Sequence, residues 1–327
     1  MAEPKVSVLV TFYNQEKYVN IALESILSQK TDFGIKVLVG DDGSTDNTVA
    51  IVKEWITRYP GIIELYTMER DAGPDVSLFR ASRNRLNLLD HVDTDYFIFL
   101  DGDDFYCSDR KLQTQFEILE KEENNDCIAC GHNMYMQYSD GSRKPAMGTD
   151  LKECKVEAKK YWRDLYIHTD TLLIRSSVIT QINKELLENC FDDVVITFSV
   201  IQHGKIYYLP DLWVVYAFTG DGICTGGNEI ENAINSIMMF DLCQIINPAF
   251  NTQSKVKFSQ IWKSLMKNRK DIKPEAFRQY SDDAQKKNLK YTYKWIHYSE
   301  LRAADKLKLH FAYYSVRVHK FLTNCFK

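Results

Sequence analysis

A doubly wound, mostly parallel α/β sheet followed by a helical C-terminal extension is the architecture the sequence predicts, on three observations. Short apolar runs alternate with segments of helical period through the first hundred residues, the pattern of strands joined by crossover helices. Acidic clusters fall just past the ends of two of those runs, the place where open α/β sheets bind ligands. From about Glu229 onward the pattern turns helical. The expected division is an α/β domain over 1–228 and a basic helical region over 229–327.

Taken in order, VSVLV (6–10) is short and almost wholly apolar, as a strand covered on both faces should be. Val19, Ala22, Leu23, Ile26 and Leu27 follow at helical spacing, and IKVLVG (35–40) is the second strand. It ends in DDGSTDNT, where Ser44 or Thr45 is expected to cap a helix facing inward through Val49, Val52, Ile56 and Tyr59. IIELYT is the third strand and YFIFLD (96–101) the fourth. Leu112, Gln115, Phe116 and Leu119 mark another helix. CIAC, YMQY, TLLIR (171–175) and KIYYLP (205–210) read as further strands.

The chain has 327 residues, of which 45% are hydrophobic and 26% charged, enough to build a sizeable globular core. No stretch approaches the roughly 18 uninterrupted apolar residues of a membrane-spanning helix. The opening MAEPKVSVLV does not have the form of a signal peptide. Eight cysteines without framework spacing fit reduced thiols in a cytoplasmic protein. The cluster Cys127, Cys130 and His132 is weighed as a zinc site and set aside, since no second ligand pair follows at finger or ribbon spacing.

In FIFLDGDDFY (97–106), three carboxylates close an apolar run. They repel one another unless a cation compensates. The run fails as an EF-hand loop, because the sixth position from Asp101 is Tyr106 and the twelfth is Leu112. Neither GxxxxGK[ST] nor a GxGxxG at a strand-to-helix turn is present. Any bound phosphate must therefore be neutralised largely by metal, and oxygen ligands suit Mg²⁺ or Mn²⁺.

VSVLVTFYNQEKYVNIALESILSQ, VLVGDDGSTDNT, ASRN (81–84) and FIFLDGDD, in this order and spacing, resemble the large inverting family two of nucleotide-sugar glycosyltransferases with the GT-A fold. HTDTLLIRSSV and FDDVVITFSVIQHGKIYYLPDLWVVY extend the resemblance over roughly residues 5 to 220. The resemblance implies that Thr11, Tyr13 and Asp41 hold the nucleotide base, with UDP the expected nucleotide, and that Arg83 lies near the nucleotide or its phosphates. It implies a DxD motif in which Asp101 faces ribose and metal and Asp103 is the principal ligand of Mn²⁺ or Mg²⁺. In the acidic pair Asp192-Asp193, Asp193 is the expected general base and Asp192 an expected acceptor-binding residue that can also cap the helix. His168 is the expected acceptor contact. GDGICTGGN (220–228) is weighed as a donor lid against a plain connector. The chain departs from the family pattern where Arg85-Leu-Asn follows ASRN in place of a common glycine, and in GPDVSLF.

The implied function is metal-dependent, inverting transfer of a sugar from a nucleotide-diphosphate donor to a saccharide or lipid-linked saccharide, as in bacterial polysaccharide synthesis. Two alternatives stand beside it: a nucleotidyltransferase making nucleotide sugars, and a non-catalytic nucleotide-sugar-binding module. From Asn251 onward the chain carries 18 Lys/Arg against 6 Asp/Glu, and the remainder 23 against 39. Aromatic residues interleaved with this basic charge read either as amphipathic helices at the inner face of the cell membrane or as helices packed on the body. Nucleic acid is not an expected partner, because no nucleic-acid fold signature accompanies the charge.

Overall fold

The computed structural model describes residues 2–70, 77–148, 150–188 and 190–219, together with 236, 239–240, 242–250, 303–304 and 307. The chain divides into two units, Met1–Ala72 with Arg80–Thr225, and Gly73–Phe79 with Gly226–Lys327. The site described below lies in the first. The 220–228 segment and nearly all of the basic region lie outside the described residues.

β1 (Pro4–Phe12) pairs in parallel with β2 (Gly34–Asp41) on one side and β4 (Tyr96–Asp101) on the other, and β3 (Ile63–Thr67) extends the sheet beyond β2. Val6, Val8, Val10 and Phe12 point to one face, where they pack with α1 (Val19–Leu27), α2 (Thr48–Arg58) and α4 (Lys111–Glu120). Alternation sends Leu9, Leu38, Phe97 and Phe99 to the other face, where Phe99 meets Phe191 edge-on at 6.0 Å. There α3 (Ser77–Leu89) is tied to β2 by the Asn84 amide, which donates to the Gly40 carbonyl. Helices thus cover both faces, and burial of β1 on both sides explains its unbroken apolar run. Its one polar inward residue, Ser7, shares a 2.8 Å hydrogen bond with Thr94.

β5 (Phe105–Tyr106), β6 (Cys127–Gln137), β7 (Arg143–Pro145), β8 (Cys154–Val156), β9 (Leu173–Arg175) and β10 (Lys205–Ala217) complete ten strands in the sheet. β9 runs antiparallel to both β4 and β6, so β6 points the same way as β4, and β10 is parallel to β6. The C-terminal ends of β1, β2, β4, β6 and β10 therefore share one edge. α5 (Ala158–Asp164), α6 (Lys184–Leu187) and α7 (Asp193–Ile201) fill the connections.

Several sequence expectations are corrected. CIAC and YMQY are one strand, continuous through His132 and Asn133. The Asn133 side chain accepts from the Met134 and Met147 N–H groups and donates to the Met147 carbonyl. KIYYLP does not end at Pro210: β10 passes the proline through a register shift between Leu209 and Leu212, which places the residue lacking an N–H at a bulge. TLLIR is strand only from Leu173, after a 3-10 turn over Thr169–Thr171. Neither Ser44 nor Thr45 caps α2, which starts at Thr48; of the expected inward residues Val52 is buried and Ile56 and Tyr59 pack partly buried against the core, and Thr48 and Trp55 are buried beside them. Trp55 was not expected inside; its indole N–H donates to Asn20 at 2.8 Å.

Candidate active site

At the shared edge, Thr11 lies between Gly40 and Asp101, Phe12 opposite Asp41, and Asp41 opposite Thr67. The loops after β1 and β2 are stitched together. Asn14, whose φ of 50° is a left-handed value that asparagine tolerates, donates its N–H to the Ser44 hydroxyl and accepts from the Thr45 N–H. The Gln15 N–H donates to the Thr48 hydroxyl and that of Glu16 to Asp46. DDGSTDNT is thus a cross-link between loops before it is a helix start.

Asp41 is buried; its Oδ2 accepts from the Gly43 and Ser44 N–H groups at 3.0 Å each. Its Oδ1 has no hydrogen-bond partner among the described residues. Beside it, the Arg70 guanidinium lies 3.6 Å over the exposed Tyr13 ring and donates to both the Tyr13 hydroxyl and Asp42. Arg80 Nη1 approaches Asp42 to 3.6 Å. Burial nonetheless pushes the Asp42 carboxyl above its usual range, against the two arginines.

The DGDD turn follows from packing. The Gly102 N–H donates to the Thr11 carbonyl, and a Cβ at Gly102 would come within 2.2 Å of the Phe12 ring and 2.5 Å of the Gln15 amide oxygen. Asp101 accepts from Arg85 at 2.6 Å. Burial pushes Asp101 up to about 7, although Arg85 opposes the shift. Asp103 accepts from the Thr219 hydroxyl at 3.2 Å and is also raised by burial. Asp104 Oδ1 accepts from the Ala217 N–H, while Oδ2 is buried without a hydrogen-bond partner. Burial first, then the facing Asp170, holds Asp104 well above the carboxylate range. Both oxygens of the fully buried Asp170 also lack a hydrogen-bond partner among the described residues.

α7 brings the third group of acids. Asp192 caps it, accepting from the Asp193 N–H at 2.8 Å, and lies 3.9 Å from Arg85. Burial and the adjoining Asp193 push Asp192 up to about 6. Asp193 accepts from the Thr169 hydroxyl at 2.8 Å, and His168 Nε2 lies 2.8 Å from its other oxygen. Neutral, His168 Nδ1 accepts from the Asp170 N–H; protonated, it faces Asp170 Oδ1 at 3.5 Å. Burial alone would depress His168, but Asp193 and Asp170 outweigh it and hold the ring well above its ordinary range. Burial would likewise raise Asp193, but the facing imidazolium outweighs it, so Asp193 is held ionised.

The structure thus brings together Asp101, His168, Asp192 and Asp193, with Asp103 on the same turn as Asp101. Thr11, Tyr13 and Asp41 lie around the neighbouring ends of β1 and β2. It does not bring Arg83 there: that side chain pairs with Glu188 at 3.3 Å, and Arg85 is the arginine at the carboxylates. Two residues apart on a helix means about 200° apart around its axis, so the two face opposite ways. His168 is 1% exposed, so it contacts Asp193 and is closed to an acceptor. Asp104 belongs to the carboxylate cluster the sequence marks, but Asp170, Thr169 and Lys111 carry no sequence signal. Lys111 is wholly buried, donates to Gln115 at 2.9 Å and is pushed down to about 7 by burial.

Two groups offer ligand atoms within 4.8 Å of one another: Asp101 with His168 and Asp193, and Asp101 with Asp104 and Asp170. Orphaned buried carboxylate oxygens are the donors a hard divalent cation takes, so the residues fit such a metal. Cys127, Cys130 and His132 form no such group among the described residues.

The protein-family model described as glycosyl transferase family 2 matches residues 7–191. An uncharacterized protein of Mycobacterium bovis is 26% identical over 226 residues, 66% of this chain and 60% of that protein's length. The dTDP-rhamnosyl transferase RfbG of Shigella flexneri is 37% identical over 102 residues, 30% of this chain and 32% of that one. Among solved structures, residues 1–349 of S. aureus TarS in complex with UDP superpose with a TM-score of 0.61 at 16% identity, covering 95% of this chain and 88% of that one. At that identity the likeness speaks to the fold, and the fold is GT-A-like. With the family model spanning more than half its length, the chain belongs to glycosyl transferase family 2.

Proposed function

We propose that the protein transfers a sugar, with inversion, from a UDP-sugar to a hydroxyl of a saccharide or lipid-linked saccharide. The observation that carries the reading is the convergence at one sheet edge of Asp193, fixed by Thr169 and His168, with Asp101 of the DGDD turn. On the donor side, the unpartnered Asp41 Oδ1 accepts from a base N–H and Tyr13 offers its ring, with Thr11 at the floor between them. Following the DxD resemblance, Asp101 and Asp103 would hold Mn²⁺ or Mg²⁺, with Asp104 and Asp170 offering further oxygens beside Asp101; the ion would supply Lewis-acid stabilisation of the diphosphate leaving group. Arg83, engaged by Glu188, is left out of the proposed donor contacts.

Asp193 takes the proton of the acceptor hydroxyl as that oxygen attacks the anomeric carbon; the bond to the diphosphate oxygen breaks and its electron pair leaves with the nucleotide. His168 is a positioning residue: it orients Asp193 and keeps it ionised, the form a base requires. Asp192 fixes the start of α7. Family membership favours this reading over a nucleotidyltransferase. No helix among the described residues is long and apolar enough to cross a membrane. The excess of basic residues after Asn251 supports a peripheral membrane contact as part of the proposal.

Asp193→Asn tests the assignment. Transfer should fall by about 10²–10⁴-fold, the usual contribution of a general base, while UDP binding stays as in wild type. Loss of UDP binding together with transfer would show that Asp193 belongs to the donor site and not to the base. Unchanged transfer would leave a module in which these acids do no proton chemistry.

A further inference from the structure

Four aromatic rings run outward from the base. Tyr216 meets His168 at 5.3 Å and 75°, Phe218 meets Tyr216 at 5.4 Å and 70°, and Tyr138 stacks on Phe218 at 5.3 Å and 21°. Tyr166 also meets His168, at 6.0 Å and 66°. Tyr138 and Tyr166 are 40% and 38% exposed, and Tyr216 and Phe218 are partly exposed. Single exposed aromatics are ordinary on a protein surface, but a contiguous strip of them marks a binding face.

The strip is placed by the sheet itself. Tyr138 and Phe218 are the residues immediately beyond the paired ends of β6 and β10, where the Phe218 N–H donates to the Gln137 carbonyl. These ends lie at the edge that carries Asp41 and Asp101. Along the same stretch, the Ala217 N–H and the Thr219 hydroxyl donate to Asp104 and Asp103. Alternation then turns Tyr216 and Phe218 the other way, onto the side of His168. One short segment thus bonds to the acidic turn with one set of groups and builds an aromatic surface with the other.

We propose that Tyr166, Tyr216, Phe218 and Tyr138 form the platform on which the acceptor saccharide lies. This rests on the transfer reading above, because the acceptor hydroxyl must reach Asp193 and the rest of the acceptor must then lie beside it. A pyranose presents an apolar face of C–H groups and a rim of hydroxyls; flat rings cover the face, and phenolic hydroxyls serve the rim. The ring nearest the base is uncharged, because Asp192 and Asp193 would repel a phosphate or carboxylate there. Lys144, with its Nζ 5.5 Å from the Tyr138 ring, stands at the far end.

The test uses the whole protein with UDP and Mn²⁺ and, as probes, the methyl glycosides of glucose, galactose, N-acetylglucosamine and rhamnose. Saturation-transfer NMR reads which sugar protons touch the protein. At least one glycoside should receive saturation mainly on one ring face, and its Kd should rise about three- to tenfold in Tyr138→Ala and in Phe218→Ala. Both side chains are partly exposed, and release of sugar to water from UDP-glucose or UDP-N-acetylglucosamine should match wild type in both variants. The proposal is overturned if no glycoside binds, if binding is unchanged in both variants, or if glycerol 3-phosphate is bound in their place. Glycoside binding that depends on the strip, with no donor cleavage by wild type, would sink the transfer reading and leave a saccharide-binding strip standing.

Discussion

Removing His168 tests how the base is held. The imidazole is buried, with Nε2 2.8 Å from Asp193. Two unit charges at that distance attract by about 6 kcal/mol at an effective dielectric constant of about 20. Desolvation of both partners offsets much of this, so the pair is worth far less than it appears. Stranding one partner is another matter and typically costs about 3–5 kcal/mol. His168→Ala should therefore lose about that much stability, and Asp193→Asn should lose a similar amount by leaving the ring without its carboxylate. The double variant should cost no more than the worse single one, giving a coupling energy of about 3 kcal/mol or more. Urea unfolding of the four proteins at one pH completes the cycle. Costs that add to within about 0.5 kcal/mol would show that the two groups do not interact, and the positioning role of His168 would be lost.

Lys111 predicts a pH effect of definite sign. The unfolded chain keeps this proton up to its ordinary pKa of 10.5, while the folded protein releases it near 7. Between those values the unfolded state binds more protons, so this group's contribution to stability rises with pH, by up to about 1.4 kcal/mol per pH unit. Lys111→Met should be more stable than wild type at pH 7, and its lead should shrink by pH 9; a constant lead would mean that Lys111 is already charged throughout. The two arginines of α3 should also separate. Arg85→Ala strands Asp101 and should cost about 3–5 kcal/mol, whereas Arg83→Ala breaks a half-exposed pair and should cost about 1 kcal/mol or less. Equal losses in urea unfolding would contradict the placement of Arg85 against Asp101.

The sheet was legible because β1, β2 and β4 are buried on both faces, and only apolar runs survive there. Their acidic ends were legible for the converse reason, since three carboxylates after FIFL have no purpose in a core. The sequence reading failed where tertiary structure decides. Arg83 and Arg85 are both arginines on one helix, and which one faces the carboxylates depends on a helical phase that the polar segment 81–85 does not reveal. Thr169 and Asp170 precede the expected strand TLLIR (171–175) and carry no signal of their own in the sequence. A 3-10 turn points Asp170 toward Asp104 and gives Thr169 to Asp193. Lys111 carries no local signal of burial, because its helix shows its polar positions only once β6 and β9 cover them. The aromatic strip joins residues from three segments, and only the parallel pairing of β6 with β10 brings Tyr138 to Phe218.

The central claim is that the DGDD turn holds a divalent metal together with a nucleotide diphosphate. Its most direct test is the thermal stabilisation given by UDP, GDP and dTDP, each with and without Mn²⁺, in wild type and in Asp103→Asn. A ligand that binds only the folded state at a hundred times its Kd adds about 2.7 kcal/mol. The account predicts a shift with UDP that requires Mn²⁺ and is lost in Asp103→Asn. Equal shifts with and without the metal, or a UDP shift that survives Asp103→Asn, would contradict it.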